Sequence, residues 1–177
     1  MYRCPIIIKS TRHNPLANFA EHIQQAKGNL LFLSAVNKQV SNFYDWQVTV
    51  CFYTALHFVN AHLSKHNLQY RKHHDVNYAL NPDVQLSVSK LPEDEYDSYM
   101  ALQRLSRRSR YLVNEKDDNL KSTQAFFTFD KHVCRAIRHL DKLLFYFDQK
   151  YTLGLSPIKF SCIGLSIAEN LKYFELK

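Results

Sequence analysis

The chain has 177 residues, of which 46% are hydrophobic, and this composition excludes a chain that is disordered throughout. It is long enough for one domain with a substantial core. Only 3 residues are glycine, fewer than the turns and bulges of a β-rich fold normally use, which favours an all-α fold. Basic residues outnumber acidic ones by 23 to 16, giving a net charge of +7. This excess permits binding to phosphates or to an acidic partner, but a solvated basic surface explains it equally well.

The four cysteines show neither the spacing of a disulfide framework nor that of a zinc site. None of Cys4, Cys51, Cys134 and Cys162 belongs to a CxxC pair, and three lie in apolar runs, so buried, reduced thiols are expected. No apolar stretch approaches the length of a membrane span, and Pro5–Ile8 is too short for the core of a signal peptide. These features predict a soluble, cytoplasmic protein without a metal, a cofactor or a membrane association.

The positions of the prolines leave two long stretches, Leu16–Asn81 and Glu93–Ser156, in which long helices can form. Residues 1–14 are predicted to be an irregular lead-in. The first helix is expected to begin at Asn14-Pro15, with Asn14 as its N-cap, and to run to about Lys38.

The second helix is predicted over Asn42–His66, with Ser41 or Asp45 as its N-cap. Apolar residues occupy nearly all of its sides, which is typical of a central, buried helix. One face carries Val48, Phe52, Ala55, Val59 and Leu63, and the other carries Trp46, Val50 and Tyr53, followed by His57, Asn60 and Ser64. A short helix around His74–Leu80 and a loop over Asn81–Pro92 are expected next.

A fourth helix is expected over Glu93–Val113, because its acidic first turn and its basic last turns suit the helix dipole. The polar loop Asn114–Lys121 precedes a last long helix over Ser122–Tyr151. The apolar residues of that helix recur at three- and four-residue steps, which is typical of a core stripe: Phe126, Phe129, Val133, Ala136, Ile137, Leu140, Leu144, Phe147 and Tyr151. The predicted domain is therefore a helical bundle over residues 15–151. Residues 152–177 form a C-terminal extension, a strand and then a short helix, that packs on the bundle or on a second subunit.

Three blocks of sequence stand out within this predicted bundle. The segment Tyr44–His57 reads YDWQVTVCFYTALH, Tyr70–Asn77 reads YRKHHDVN, and Tyr99–Tyr111 reads YMALQRLSRRSRY. In this order and spacing, they resemble a group of small bacterial HEPN-domain proteins whose first block reads DWAVTAxFYAALH. The resemblance covers about residues 15–150. The second block keeps a histidine at His74 but has Asn77 where that group has an arginine.

The resemblance implies an antiparallel bundle of four or five helices, frequently homodimeric, that binds or cleaves RNA in bacterial defence, toxin–antitoxin or RNA-processing systems. HEPN ribonucleases work without a metal and use an arginine followed, after four to six residues, by a histidine. Both residues act in a cleft where two subunits meet, and the ribose 2′-OH attacks the phosphate. This chain lacks that spacing after Arg110. Its nearest match, Arg135 and His139, has three intervening residues, which places the two side chains one turn apart on a helix, opposite the apolar stripe.

Two sets of candidate residues follow. The candidate RNA-binding residues combine cations for phosphates with a flat ring for bases, and they are Arg71, Lys72, Arg104, Arg107, Arg108 and Tyr111. The arginines among them have an equally good structural explanation, since they complement the helix dipole. The candidate catalytic residues are Arg110, His57, His74, Arg135 and His139. Arg110 is expected to reach a polar pocket with His57 and His74, although His57 is more simply a partly buried histidine held by a hydrogen bond.

Two functions remain open at this point. The first is a HEPN-like RNA-binding protein, with or without the activity of a metal-independent endoribonuclease. The second is a non-catalytic, dimeric interaction module that has lost the Arg–His spacing and docks a protein partner through its apolar C-terminal extension.

Overall fold

The computed structural model describes residues 17–112 and 125–177, and these are mainly helical. The helices are α1 (Phe19–Gln39), α2 (Tyr44–Lys65), α3 (His73–Leu80), α4 (Glu93–Tyr111) and α5 (Asp130–Tyr151). A short strand β1 (Ile158–Phe160), a single 3-10 turn (Ile167–Glu169) and a second strand β2 (Phe174–Leu176) follow. The predicted all-α bundle with a C-terminal extension is confirmed. The predicted lead-in over residues 1–14 and the predicted loop Asn114–Lys121 lie outside the described residues.

Helix α2 is the centre of the bundle and packs against α1, α4 and α5. The first of its two predicted apolar faces is completely buried, as expected for a core: Val48, Phe52, Ala55, Val59 and Leu63. The second face is only partly covered, since Trp46 is 57% exposed and Tyr53 is 37% exposed. The prediction that α2 is buried on nearly all sides is therefore wrong for the side that carries Trp46 and Tyr53.

The helix starts differ from the predicted ones because the capping groups differ. Helix α1 begins with a capping box, in which the Asn18 side chain accepts from the Glu21 N–H at 3.1 Å and the Glu21 carboxylate accepts from the Asn18 N–H at 2.7 Å. The predicted cap, Asn14, lies outside the described residues. At the start of α2, neither Ser41 nor Asp45 is the cap, because Phe43 occupies that position without a side-chain hydrogen bond.

Helix α5 begins at Asp130, later than the predicted Ser122. Phe126 and Phe129 continue the apolar spacing but precede the helix, and the Phe129 side chain is 52% exposed rather than buried. The backbone of Phe129 is extended, and its N–H donates to His132 Nδ1 at 2.9 Å. Residues 125–129 instead run along the end of α4, where the Phe126 N–H donates to the Leu112 carbonyl oxygen at 2.9 Å. Spacing alone could not locate this boundary.

The C-terminal extension packs on the bundle of its own chain. Its strands β1 and β2 are parallel, with Ile158 paired to Phe174 and Phe160 paired to Leu176. The second strand is not predicted by the sequence. The Asn37 side chain on α1 binds both the N–H and the carbonyl of Ser161, each at 2.8 Å. The extension is thus part of the domain.

The folding back of this extension joins two cysteines. Cys134 on α5 and Cys162 in the extension form a disulfide across 28 residues of sequence. The expectation of separate, reduced thiols is therefore wrong for this pair, because residues distant in sequence meet when the extension docks. It is confirmed for Cys51, which is buried and free. Among the described helices, none is long and apolar enough to cross a membrane.

Candidate nucleic-acid interface

The sequence-predicted RNA-binding residues lie mainly on α4 and at the start of α3. Arg104, Arg107 and Tyr111 follow one another at steps of three and four residues on α4, and all three are exposed. Arg71 and Lys72 are exposed immediately before α3. We call these five residues the α3–α4 basic face.

A pair of side-chain amides holds α3 against α4 beneath this face. Asn77 Nδ2 on α3 donates to Gln103 Oε1 on α4 at 2.9 Å, and Gln103 is buried. Asn77 is the residue at which the resemblance predicts an arginine. In this chain, its position serves to fix the two helices rather than to supply a positive charge.

Arg108 on α4 contacts the segment that precedes α5. Its Nη2 donates to the Phe127 carbonyl oxygen at 2.8 Å, and its guanidinium lies 5.4 Å from the centre of the Phe126 ring. These contacts tie residues 125–129 to α4. Arg108 is therefore structural in this conformation, and its predicted role in RNA binding has no support from its placement.

Arg110 lies where α2, α3 and α4 meet. Its guanidinium carbon is 6.0 Å from the centre of the Tyr53 ring and 5.2 Å from that of Tyr111. Burial is the main cause that lowers the pKa of His73 on α3, and the positive charge of Arg110 lowers it further. The charge of Arg110 thus acts on His73, whereas the sequence predicts that Arg110 reaches a pocket with His57 and His74.

His57 lies one turn after Tyr53 on α2 and pairs with a histidine of α1. Its Nδ1 is 3.3 Å from Nδ1 of His22, and burial is the main cause that lowers the pKa of both rings. His57 is thus partly buried and lies within hydrogen-bond distance of His22. The sequence carries no signal for His22, because its partner depends on how α1 and α2 align.

His74 takes no part in this arrangement. Its side chain is 88% exposed and lies 3.3 Å from the carboxylate of the neighbouring Asp75. The predicted pocket that joins Arg110, His57 and His74 is therefore not assembled around His74.

Arg135 and His139 lie one turn apart on α5, as predicted. Arg135 is exposed, whereas His139 is half-buried with Nδ1 3.4 Å from Ser98 Oγ on α4. Ser98 and Arg110 lie twelve residues apart on α4, a distance of about 18 Å along the helix axis. The structure therefore separates the near match on α5 from the surroundings of Arg110.

Two other features of the structure contain groups that can bind a ligand. A groove of about 500 Å³ lies between α1 and the C-terminal extension, with Lys38, Lys159 and Lys177 among its lining residues, so it is distinct from the α3–α4 basic face. The donor atoms of Asp130, Cys134 and Cys162 lie within 4.8 Å of one another, a geometry that can hold a metal ion. The disulfide, however, engages both sulfur atoms.

No protein-family model matches this sequence, and no similar curated protein or solved structure is found. The HEPN resemblance therefore stays a prediction carried by the three sequence blocks. The surface around α4 combines exposed guanidinium groups, which bind phosphate, with exposed tyrosine rings, on which a base can stack.

Proposed function

We propose that this chain is a HEPN-like RNA-binding protein that holds RNA on its α3–α4 basic face. The observation that carries the proposal is the exposure of Arg104 and Arg107 beside Tyr111 on one side of α4. Among the described residues, neither arginine forms an ion pair. The net charge of +7 favours a polyanionic partner.

The tyrosines beside Arg110 suit single-stranded RNA. Tyr111 is 64% exposed and Tyr53 is 37% exposed, and Arg110 lies near both rings. Unpaired bases can stack on such rings, whereas the paired bases of a duplex cannot. We therefore propose single-stranded RNA as the ligand, in a bacterial defence or toxin–antitoxin setting.

We also propose that the chain cleaves RNA as a metal-independent endoribonuclease. Cleavage by the 2′-OH route needs a proton acceptor for that hydroxyl, a proton donor for the leaving oxygen and a cation near the phosphate. Arg110 would supply the cation. His73 or His57 would accept the proton of the 2′-OH, because a lowered pKa keeps their rings neutral near pH 7. The protonated ring formed in this way would then return the proton to the leaving oxygen.

The experiment that tests cleavage uses the purified chain, mixed single-stranded RNA and a chelator. The variants are Arg110→Ala, His73→Ala and His139→Ala, with His74→Ala as the control on the exposed side of α3. Loss of cleavage with the first two variants alone would support the site around Arg110, and loss with His139→Ala alone would support the pair on α5. Cleavage that survives all four changes would contradict a catalytic role for Arg110, His73, His74 and His139. Salt-dependent binding without cleavage would leave an RNA-binding protein.

A second candidate function is a non-catalytic, dimeric interaction module. The observation that favours it is a set of exposed apolar side chains on α1, α2 and the turn between them: Phe32, Val40, Phe43 and Trp46. Large exposed apolar groups of this kind are typical of protein–protein interfaces. Sedimentation analysis of the wild type and of Trp46→Ala tests it. A dimer that the substitution dissociates, together with an absence of RNA binding, would favour this module.

A further inference from the structure

One side of α5 holds a loop of the C-terminal extension through three successive turns. Asp130, Cys134 and Arg138 are spaced by four residues and therefore share a face of the helix. Asp130 Oδ2 accepts the Gly164 N–H at 3.2 Å, and Cys134 forms the disulfide with Cys162. The contacts of all three residues fall within residues 162–169, which we call the fastened loop.

The third turn adds an ion pair to these contacts. Arg138 donates to the Gly164 carbonyl oxygen at 3.0 Å and to the Glu169 carboxylate at 2.5 and 2.8 Å. The Arg138 side chain is 42% exposed, so water and salt screen the pair, and pairs of this kind hold a loop only weakly. The disulfide is therefore the strongest of the three connections to the fastened loop.

The Asp130 carboxylate lies beside both sulfur atoms of the disulfide. Oxygen atoms of the Asp130 carboxylate lie 3.4 Å from Cys134 Sγ and 3.3 Å from Cys162 Sγ. Disulfide sulfurs carry no proton, but after reduction both thiols have an acceptor for an S–H···O bond at these separations. Cys134 is buried, whereas Cys162 is half-buried and is the sulfur that an external thiol reaches first.

Gly164 allows the loop to close over the sulfur atoms. A Cβ atom at this position would lie 2.8 Å from Cys134 Sγ, closer than van der Waals contact permits. The reduced Cys134 side chain can rotate away from such an atom, but the disulfide-bonded one is held in place. A side chain at position 164 therefore disfavours the closed state more than the reduced state.

We infer that Cys134 and Cys162 are a reversible thiol–disulfide pair that fastens residues 162–169 to α5 when oxidised. The oxidant is a low-molecular-weight disulfide. One protein thiolate attacks it to form a mixed disulfide and releases one small thiol. The second protein thiolate then attacks the mixed disulfide, closes the Cys134–Cys162 bond and releases the second small thiol. Two electrons pass from the two cysteines to the small disulfide, and the two protons leave with the released thiols.

The fastened loop carries an apolar part of the surface. Ile163 is 95% exposed and Ile167 is 80% exposed, and both lie in the fastened loop. In the reduced state, the loop retains its hydrogen bonds, the exposed ion pair of Arg138 and the packing of Leu165 on the core. Reduction therefore loosens a loop with two exposed isoleucines, while the strand pairing of β1 with β2 continues to hold the rest of the extension.

The test equilibrates the full chain in mixtures of reduced and oxidised glutathione, followed by alkylation and mass spectrometry. We expect a single transition that produces the Cys134–Cys162 bond and that either Cys134→Ser or Cys162→Ser abolishes. Cys51→Ser, at the buried free cysteine, should leave the transition unchanged. Hydrogen exchange of residues 162–169 should slow on oxidation, while that of α2 stays constant. Gly164→Ala should lower the equilibrium constant for closure by about tenfold, whereas Gly28→Ala, which has open space around it, should not.

Three results would overturn the inference. The first is a chain that stays reduced in fully oxidised glutathione, and the second is oxidation that leaves the exchange of residues 162–169 unchanged. The third is uptake of one equivalent of Zn²⁺ by the reduced protein, lost in both serine variants, since it would assign Asp130, Cys134 and Cys162 to a metal site.

Discussion

His22 on α1 and His57 on α2 face each other through their Nδ1 atoms, which are 3.3 Å apart. Only one of the two nitrogens can donate a proton to the other, so the contact requires at least one neutral ring. Burial lowers the pKa of both histidines, and a positive charge on His22 lowers that of His57 further. The pair joins the two helices beside Tyr53, near the proposed RNA-binding surface.

We expect both rings to titrate below the ordinary histidine pKa of 6.5 in the folded protein. In His22→Gln, the pKa of His57 should rise, because one of the two causes of its depression is removed. The ring carbon–proton correlations in NMR spectra recorded against pH measure these values. A pKa of His57 that is ordinary in the wild type and unmoved in His22→Gln would contradict the pairing.

His62 is fully buried on α2 and uses both ring nitrogens. Its Nε2 donates to the Ser89 carbonyl oxygen at 2.9 Å, so its Nδ1 accepts the Tyr151 hydroxyl at 2.5 Å. Tyr151→Phe keeps the ring but leaves this nitrogen without its donor, and we expect it to lower the free energy of unfolding by about 1–2 kcal/mol. Urea denaturation measures the change.

Tyr146→Phe is the matched control for that substitution, because it removes a hydroxyl from the same helix. The Tyr146 hydroxyl only accepts from Lys150 Nζ, at 2.8 Å, in an exposed hydrogen bond. This variant should therefore change the free energy of unfolding by less than about 0.5 kcal/mol. Equal losses in the two variants would show that the hydrogen bond to His62 contributes no more to the free energy of unfolding than the exposed one.

The same histidine makes stability depend on pH. Burial lowers the pKa of His62 to about 4 in the folded protein, from 6.5 in the unfolded chain. Between these values the unfolded chain binds more protons, so the free energy of unfolding should fall as the pH falls from 6.5 to 4, by about 2–3 kcal/mol from this residue. Unfolding curves at several pH values measure it. In His62→Gln, the slope over this range should be smaller, and an unchanged slope would contradict the assignment.

Asp141 fastens the second strand of the extension to α5. Its carboxylate is buried and accepts the N–H groups of Lys172 at 3.1 Å and Tyr173 at 2.8 Å. Asp141→Asn keeps one acceptor and turns the other into a donor that faces an N–H group. We expect a loss of about 1.5–3 kcal/mol in the free energy of unfolding. Glu175→Gln, at an exposed position of β2, is the control and should have almost no effect.

The helices were predictable because their signals are local. The apolar spacing of Val48, Phe52 and Val59 identifies the buried side of α2 without knowledge of its partners. The start of α5 was not predictable in this way, since Phe126 and Phe129 keep the helical spacing in a segment that is extended. The helix boundary depends on how residues 125–129 pack on α4.

Two other contacts are long-range, and the sequence could not predict them. The disulfide joins residues 28 apart, and the His22–His57 contact joins residues 35 apart. Both depend on the alignment of elements that are distant in sequence. The same reason explains why the sequence predicts His74 beside Arg110, although His74 is exposed and the charge of Arg110 acts on its neighbour His73. One residue of difference on α3 turns a side chain by about 100°.

The salt dependence of RNA binding tests the proposed RNA-binding function most directly. The double variant Arg104→Ala/Arg107→Ala removes two cations of the α3–α4 basic face. The double variant Lys38→Ala/Lys159→Ala removes the same charge from the groove beside the C-terminal extension. Affinity for single-stranded RNA is measured over a range of salt concentrations by fluorescence anisotropy.

The slope of log K against log salt concentration should decrease by about 1.4 in the arginine variant, since each lost phosphate contact contributes about 0.7 for a single strand. It should stay unchanged in the lysine variant. A wild-type chain that binds no RNA, or two variants that lose affinity equally, would contradict RNA binding by the α3–α4 basic face.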